Sequence, residues 1–240
     1  MHDPSASQPG PHSVPSEPQP LQNSEVEKLA HELLCEAERS ERRYTLAIAG
    51  IPGSGKSTLA QSLVECVNAR KGDGFAVVVA MDGFHLANAV LDSLGLRGVK
   101  GSPPTYDAAG LCDLLQTLRE LPRRSTWIPV YCRRLHEPVA EGVEAGASCR
   151  LVVAEGQYLL LDRPPWSELA DYFDAAWYLD IDRETSLAGV AERHMRGGNG
   201  PEQARRRIDE NDRPNALLIE PTRRRAQKVI DARVLRGQNQ

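Results

Sequence analysis

The chain has 240 residues, of which 40% are hydrophobic and 26% charged, as expected for one soluble globular domain with additions. No stretch approaches about 20 consecutive apolar residues, and the formal net charge of -4 disfavours a general nucleic-acid binder. The five scattered cysteines contain no C-x-x-C pair, which predicts small core residues in a reducing, cytoplasmic compartment.

The first segment of the chain, residues 1–22, is rich in proline, serine and glutamine. It lacks the basic start and apolar core of a secretory signal, and it cannot bury enough surface to fold. We therefore predict a disordered proline-rich extension over residues 1–22, with a recruitment motif as the alternative, and one domain over residues 23–240. That domain begins with a helix over residues 24–41, where Ser24 and Glu27 fit a capping box.

The next segment has the order strand, glycine-rich loop and helix. Residues 45–49 form a short apolar run, residues 50–57 spell G-x-x-x-x-G-K-S, and apolar residues then recur at helical spacing. This pattern predicts a phosphate loop whose backbone N–H groups surround a polyphosphate, with the lysine on the β- and γ-phosphates and the serine hydroxyl on Mg²⁺. The alternative is a glycine-rich turn before an ordinary helix. The predicted nucleotide contacts are Gly50, Ile51, Pro52, Gly53, Ser54, Gly55, Lys56, Ser57 and Thr58.

Three acids follow predicted strands at residues 75–80, 150–154 and 175–181. Phosphoryl transfer to an alcohol needs Mg²⁺ near the phosphates and a carboxylate that accepts the proton of the alcohol. We assign the base to Asp82 and Mg²⁺ binding to Glu155 together with Ser57, although the spacing alone allows the two acids to exchange roles. Asp182 precedes a helix and is interpreted as its N-cap.

Polar residues between these strands are candidates for contacts to the acceptor. His85 follows Asp82 closely, Lys100 and Tyr106 belong to or border a Gly/Pro-rich loop at residues 95–105, and Arg133 follows a predicted strand at residues 127–132. Arg133 suits an anionic or polyhydroxylated acceptor. The alternatives are a structural histidine and ordinary surface charges.

A helix predicted over residues 183–195 carries arginines three residues apart just before a Gly–Gly pair. This arrangement suits a lid, over about residues 193–210, that closes on the transferring phosphate and neutralises developing charge through Arg193 and Arg196. The alternative is a solvated basic helix face. His136 and His194 receive no role, and residues 211–215 are suggested as contacts to adenine.

Strands that alternate with helices predict an α/β fold of the P-loop NTPase type, a three-layer α/β/α sandwich. We expect a mainly parallel five-stranded sheet with a helical lid, in which the strand at residues 127–132 is the third in chain order. Residues 138–148 form a polar excursion or hairpin, and a last strand covers residues 229–235. The site should then lie along the carboxyl edge of the sheet.

Seven segments resemble, in this order, the phosphoribulokinase/uridine kinase superfamily, and most nearly its bacterial pantothenate-kinase-like branch of fructose-transport or nucleoside kinases. The resemblance as a whole covers roughly residues 25–235, and the second and fifth segments are more specific than the phosphate loop. The segments are GIPGSGKST (50–58), MDGFHL (81–86), KGSPPTYDAAGL (100–111), IPVYCR (128–133), VVAEGQYLLLD (152–162), ERHMRGG (192–198) and NDRPNALLIE (211–220).

The resemblance implies ATP-dependent phosphorylation of a small-molecule hydroxyl by a P-loop kinase domain. It supports Asp82 as base, Glu155 in Mg²⁺ binding and residues 193–198 as lid. The branch has asparagine where Gln157 stands, a basic residue where Val99 stands, and Phe-Asp-Arg at residues 131–133, where this chain has Tyr-Cys-Arg. These departures fall on the expected acceptor side, where Gln157 joins the predicted contacts. Fructose, a nucleoside, pantothenate and glycerate all remain candidate acceptors.

The leading hypothesis is therefore a kinase that uses ATP and Mg²⁺ on a small-molecule acceptor, without nucleic-acid or membrane partners and with a homodimer as an option. The first alternative is a nucleotide-binding or ATPase module that switches state without a metabolite acceptor. The second alternative is a nucleic-acid kinase, which only the arginine runs at residues 205–207 and 223–225 favour.

Overall fold

The computed structural model describes residues 24–235, so the extension predicted for residues 1–22 lies outside the described residues. The helices are α1 Ser24–Arg39, α2 Lys56–Lys71, α3 Asn88–Ser93, α4 Ala108–Arg119, α5 Arg183–Arg196, α6 Pro201–Arg207, α7 Arg213–Ile219 and α8 Ala232–Leu235. The strands are β1 Tyr44–Ala49, β2 Ala76–Ala80, β3 Thr126–Cys132, β4 Glu137–Ala145, β5 Leu151–Glu155, β6 Ala175–Asp180 and β7 Lys228–Asp231.

The central sheet has five strands in the order β2-β5-β1-β6-β7, and every neighbouring pair is parallel. In its register Glu155 of β5 lies between Ala80 of β2 and Ile48 of β1. The carboxyl ends of these three strands are therefore level with one another. The residues that follow each strand meet at one edge of the sheet, as the sequence predicts.

Two apolar cores cover the two faces of the sheet. Along β1, Ala47 belongs to the core that contains Leu115 of α4, whereas Leu46 belongs to the core that contains Leu33 of α1 and Leu63 of α2. The alternation of side chains along a strand produces this division. The predicted three-layer α/β/α architecture is confirmed.

Strands β3 and β4 form a separate antiparallel ribbon. The predictions of a strand near residues 127–132 and of a hairpin after it are confirmed, but β3 is not a strand of the central sheet. Strands of a parallel sheet bury both faces, and in β3 only Ile128 is fully buried while Trp127 is exposed. The fifth strand of the sheet is β7, which ends at Asp231, earlier than predicted, and is followed by α8.

A fully buried arginine fixes this ribbon to the rest of the domain. The Arg43 guanidinium donates hydrogen bonds to the carbonyl oxygens of Leu118 at 3.0 Å, Arg124 at 2.7 Å and Gly146 at 3.0 Å. These acceptors lie at the end of α4 and on both sides of the ribbon. One side chain therefore holds three chain segments together.

The predicted lid region is helical. Helix α5 ends at Arg196, α6 follows after a short connection, and a π-helical turn at Ile208–Asp212 leads into α7. Within residues 24–235, none of the helices is both long enough and apolar enough to cross a bilayer.

Candidate active site

The loop between β1 and α2 is shaped by glycines at points of close backbone approach. Gly53 has a φ of 78°, and a Cβ placed there would lie 2.6 Å from Val190 Cγ2 of α5. A Cβ on Gly50 would lie 2.7 Å from the carbonyl oxygen of Leu179. Helix α2 begins at Lys56, so its first N–H groups face this loop. The arrangement fits a polyphosphate, because backbone donors converge where side chains are sterically excluded.

The lysine of the loop is buried and bends back onto its own loop. Its Nζ donates a hydrogen bond to the carbonyl oxygen of Ile51 at 2.9 Å. Burial lowers the pKa of Lys56 to about 8, while the charges of Glu155 and Asp82 raise it and that of Arg193 lowers it. The ammonium group is therefore within electrostatic reach of Glu155, Asp82 and Arg193, to which the sequence assigns roles in phosphoryl transfer.

Ser57 and Glu155 form the second pair of the site. The Ser57 hydroxyl donates a hydrogen bond to Glu155 Oε1 at 2.9 Å, and the glutamate side chain is buried. Burial and the neighbouring charge of Asp82 raise the pKa of Glu155 to about 7, and Lys56, Ser57 and Arg133 oppose this rise. A hydroxyl beside a carboxylate is a hard oxygen donor set that fits Mg²⁺.

Residues 24–235 contain no cluster of three or more His, Cys, Asp or Glu side chains that could hold a metal ion.

Asp82 lies on a 3-10 turn, Met81–Phe84, that directly follows β2. Its side chain is 56% exposed, and its Oδ1 accepts a hydrogen bond from the Tyr106 hydroxyl at 3.3 Å. The turn is packed closely on both sides. A Cβ on Gly83 would lie 2.3 Å from the Pro129 carbonyl oxygen in β3, and one on Gly156 would lie 2.4 Å from Met81 Cβ. The Asp82 carboxylate therefore faces solvent from a firmly held backbone.

Aromatic rings line the site next to Asp82. The His85 ring lies between Tyr106 and Tyr131, with centroid distances of 4.0 and 4.9 Å. Its Nδ1 lies 2.9 Å from the Asp82 carbonyl oxygen, and burial lowers the pKa of the imidazole. Lys100 Nζ lies 5.1 Å from the centroid of Tyr131. The sequence predicts His85, Tyr106 and Lys100 here, whereas Tyr131 is marked in the sequence only by its departure from the family pattern.

Lys100 also connects the loop at residues 95–105 with the β3–β4 ribbon. Its Nζ donates hydrogen bonds to Asn88 Oδ1 at 2.8 Å and to the carbonyl oxygen of His136 at 2.7 Å. His136 has a φ of 53°, in the left-handed region that non-glycine residues seldom adopt. A histidine to which the sequence assigns no role thus anchors the lysine through its backbone.

The carbonyl oxygen of Gly101 is a junction between three parts of the chain. It accepts hydrogen bonds from Gln157 Nε2 at 2.9 Å, the Tyr158 hydroxyl at 2.7 Å and Asn215 Nδ2 at 3.4 Å. Asn211 Nδ2 donates to the neighbouring carbonyl of Lys100 at 3.2 Å. Gln157 and the two asparagines therefore hold the loop at residues 95–105, which the sequence predicts to contact the acceptor and which is called the acceptor loop. The use of Gln157 as a direct acceptor contact, and of residues 211–215 at adenine, stays a prediction.

The predicted arginines lie at the margin of the site. Arg133, Arg193 and Arg196 are all exposed. The charges of the first two are felt within the site, since Arg133 lowers the pKa of Glu155 and Arg193 lowers that of Lys56. The structure thus brings Arg133 within electrostatic reach of Glu155 and Arg193 within electrostatic reach of Lys56, while Arg196 lies farther along α5.

Helix α5 is fixed at both ends by contacts that the sequence does not mark as functional. Near its start, the Ser186 hydroxyl donates to the carbonyl oxygen of Pro52 in the phosphate loop at 2.6 Å. Near its end, His194 Nε2 lies 2.9 Å from Asp212 Oδ2 in the π-helical turn. The predicted N-cap is confirmed, because Asp182 Oδ1 accepts from the backbone N–H of Thr185 at 2.8 Å.

Comparison with known proteins gives consistent results. The sequence pattern of the Phosphoribulokinase / Uridine kinase family matches residues 45–232. A Schizosaccharomyces pombe protein named "Putative uridine kinase C227.14" is 32% identical over 206 residues, which are 83% of this chain and 84% of that protein. The protein YggC of Escherichia coli K12 is 31% identical over 216 residues, 88% of this chain and 89% of YggC.

Among solved structures, one described as a "putative fructose transport system kinase" from Silicibacter sp. TM1040 superposes with a TM-score of 0.77. It is 33% identical to this chain, and the match covers 85% of this chain and 98% of that one.

Proposed function

The chain belongs to the phosphoribulokinase/uridine kinase family of P-loop kinases, and from this premise we propose that it transfers the γ-phosphoryl group of ATP to a hydroxyl of a sugar, nucleoside or pantothenate-like acceptor. Two relatives bear names that mention uridine and fructose transport, which supports the first two acceptor classes. The observation that carries the proposal is that Lys56 and Ser57 at the start of α2, Glu155 at the end of β5 and Asp82 in the turn after β2 lie at one edge of the sheet.

In this proposal the phosphate loop from Gly50 to Thr58 binds the triphosphate through backbone N–H groups, and Lys56 neutralises charge on the β- and γ-phosphates. Ser57 and Glu155 would hold Mg²⁺, which supplies charge neutralisation between the two phosphates when bound. The buried Ser57–Glu155 hydrogen bond already places the hydroxyl and carboxylate oxygens side by side. The pair would then bind the ion, directly or through water.

The geometry favours Asp82 over Glu155 as the general base. Glu155 is buried and hydrogen-bonded to the phosphate loop, whereas Asp82 is exposed and lies among the rings of His85 and Tyr106. An acceptor alcohol can reach only the exposed carboxylate without displacing the phosphate loop. Asp82 would take the proton of the hydroxyl while the oxygen attacks the γ-phosphorus, and ADP would leave with the bridging oxygen.

The remaining predicted residues have roles on either side of this transfer. Arg193 and Arg196 would close over the γ-phosphate, exclude water and neutralise charge that develops in the transition state. On the acceptor side, the carboxylate of Asp82 and the predicted acceptor contacts would orient the hydroxyl. Those contacts are His85, Lys100, Tyr106, Arg133 and Gln157.

A screen for the acceptor tests the proposal. ADP release is measured with Mg²⁺-ATP against panels of sugars, nucleosides and small hydroxy acids, and products are confirmed by mass spectrometry. We expect at least one acceptor to raise ADP release well above the rate with ATP alone and to yield one phosphorylated product. The melting temperature measured with a non-hydrolysable ATP analogue and each candidate gives a second readout, since ligands that bind the folded state raise it.

The switch-module hypothesis gives the opposite result in this screen. A module without a metabolite acceptor would hydrolyse ATP at one steady rate with every compound. Such a result, together with normal binding of the ATP analogue, would overturn the kinase proposal for a small-molecule acceptor.

A further inference from the structure

The hydrogen bond between His194 and Asp212 has no part in the mechanism above, yet it joins two elements of the site. His194 Nε2 and Asp212 Oδ2 lie 2.9 Å apart, and the two side chains are 19% and 12% exposed. A carboxylate can only accept, so Nε2–H donates to it. Because the pair is largely buried, loss of the donor would leave a carboxylate with poor solvation.

On one side, the pair holds the end of the helix that carries the lid arginines. His194 follows Arg193 directly, and the charge of Arg193 reaches Lys56. The first half of α5 is attached to the phosphate loop through Ser186 and Pro52. A contact near each end of α5 therefore helps to fix the position of Arg193 relative to the phosphate loop.

On the other side, the pair holds the segment that grips the acceptor loop. Asp212 lies between Asn211, which donates to the Lys100 carbonyl, and Asn215, which donates to the Gly101 carbonyl. Asn215 Nδ2 also lies 3.3 Å from Asn211 Oδ1, so the two amides act as one unit. Asn211 and Asp212 belong to the π-helical turn at Ile208–Asp212, and Asn215 follows in α7. Such turns occur frequently at functional sites.

We propose that His194 and Asp212 are positioning residues that couple the nucleotide site to the acceptor loop at residues 95–105. A triphosphate that draws in Arg193 moves the last turn of α5, and the His194–Asp212 hydrogen bond transmits this movement to Asn211 and Asn215. These amides then hold the Lys100–Gly101 backbone in place. The inference rests on the proposed kinase site, because it assigns the loop to the acceptor and Arg193 to the phosphates.

Hydrogen–deuterium exchange of the full chain tests this coupling without knowledge of the acceptor. The probe is adenylyl-imidodiphosphate with Mg²⁺, and the readout is the exchange rate of peptides within residues 95–105. In the wild-type protein we expect the nucleotide to slow exchange there by about fivefold or more, the lower end of typical couplings between sites. In His194→Ala the nucleotide should slow exchange by less than about twofold. The Kd of the nucleotide should change by a smaller factor than this slowing does.

Two further variants separate positioning from a general structural effect. His194→Gln retains an N–H donor close to the position of Nε2, so it should restore most of the nucleotide-dependent protection. Glu184→Gln weakens the exposed ion pair with Arg213, which also links α5 to α7, and should leave the protection unchanged. A merely destabilised protein would instead exchange faster in all peptides, with or without nucleotide.

The coupling proposal is overturned if the wild-type loop gains no protection from the nucleotide, or if His194→Ala keeps the wild-type protection. Failure of the proposed function looks different, because it requires that the wild-type protein phosphorylate no compound in the acceptor screen. An exchange result that depends on His194 would stand even in that case.

Discussion

The turn that carries Asp82 offers a sharp test, because its position depends on one glycine. In Gly83→Ala the new Cβ would lie 2.3 Å from the Pro129 carbonyl oxygen and 2.7 Å from its carbon. Cβ atoms essentially never lie closer than 3.0 Å to such an atom, so the contact with the oxygen is about 0.7 Å too short. The obstacle is backbone of β3, which a side-chain rotation cannot relieve. The turn and the β3–β4 ribbon must therefore separate, and Asp82 must move with the turn.

The expected effect follows from this displacement. A shift of about 1 Å in a reacting group can cost about 10²-fold in rate, so we expect kcat to fall by roughly 10- to 100-fold. The overpacked contact should lower the free energy of unfolding by about 1 to 3 kcal/mol. Binding of the ATP analogue should hardly change, because the phosphate loop is built on β1 and α2.

The assay compares initial rates of acceptor-dependent ADP release and the Kd of the ATP analogue in Gly83→Ala, the wild type and one control. The control is Gly98→Ala, because Gly98 lies in the acceptor loop and a Cβ there would meet no neighbouring atom within 4 Å. It should retain nearly wild-type kcat. If Gly83→Ala turns over at the wild-type rate, the close packing of this turn does not position Asp82 and the reasoning is wrong.

Three other substitutions probe separate parts of the account. Lys56→Ala should abolish measurable ADP release and weaken the ATP analogue, because it removes positive charge from the phosphates; intact turnover would place the nucleotide elsewhere. Glu155→Gln should raise the Mg²⁺ concentration needed for half-maximal rate by about 10-fold or more, and an unchanged Mg²⁺ titration would contradict its metal role. Arg43→Met should lower the free energy of unfolding by about 3 to 5 kcal/mol in urea denaturation, since it leaves several buried carbonyl oxygens without donors; a loss below about 1 kcal/mol would mean that water replaces the guanidinium.

Much of the site could be predicted because its parts are local in sequence. The phosphate loop and Asp82 come just after short apolar strands and Glu155 ends one, and parallel strands end at the same edge of a sheet. The order of residues along the chain is then enough to bring them together. The sequence does not separate the two carboxylates, because their difference lies in burial, and burial depends on neighbours that are distant along the chain.

The place of β3 could not be predicted from its own residues. A run such as TWIPVYC is compatible with any strand, and the partner of a strand is determined by the rest of the fold. Here β4 pairs with it, and the ribbon packs against the Asp82 turn through Gly83 and Pro129. The close approach at Gly83 is visible only in the structure, although a glycine beside the proposed general base hints at it.

The contacts of the lid are also beyond sequence analysis. His194 lies in α5 and Asp212 lies 18 positions later, in the π-helical turn. The spacing along the chain does not reveal that these two elements meet. A lone histidine is more often structural than functional, so the sequence assigns it no role. The sequence suggests residues 211–215 as contacts to adenine, which stays a prediction, and it does not reveal that the amides of Asn211 and Asn215 hold the acceptor loop. The useful signal is the dense polar segment NDRPN, which lacks a helical apolar pattern.

The most direct test of the central claim is the rate of phosphoryl transfer by Asp82→Asn, measured together with its affinity for the ATP analogue. If Asp82 takes the proton of the acceptor, transfer should fall by roughly 10²- to 10⁴-fold, the usual contribution of a general base, while nucleotide affinity stays near wild type. Turnover close to the wild-type rate in this variant would show that the base is another group, and the assignment of the two carboxylates would have to be abandoned.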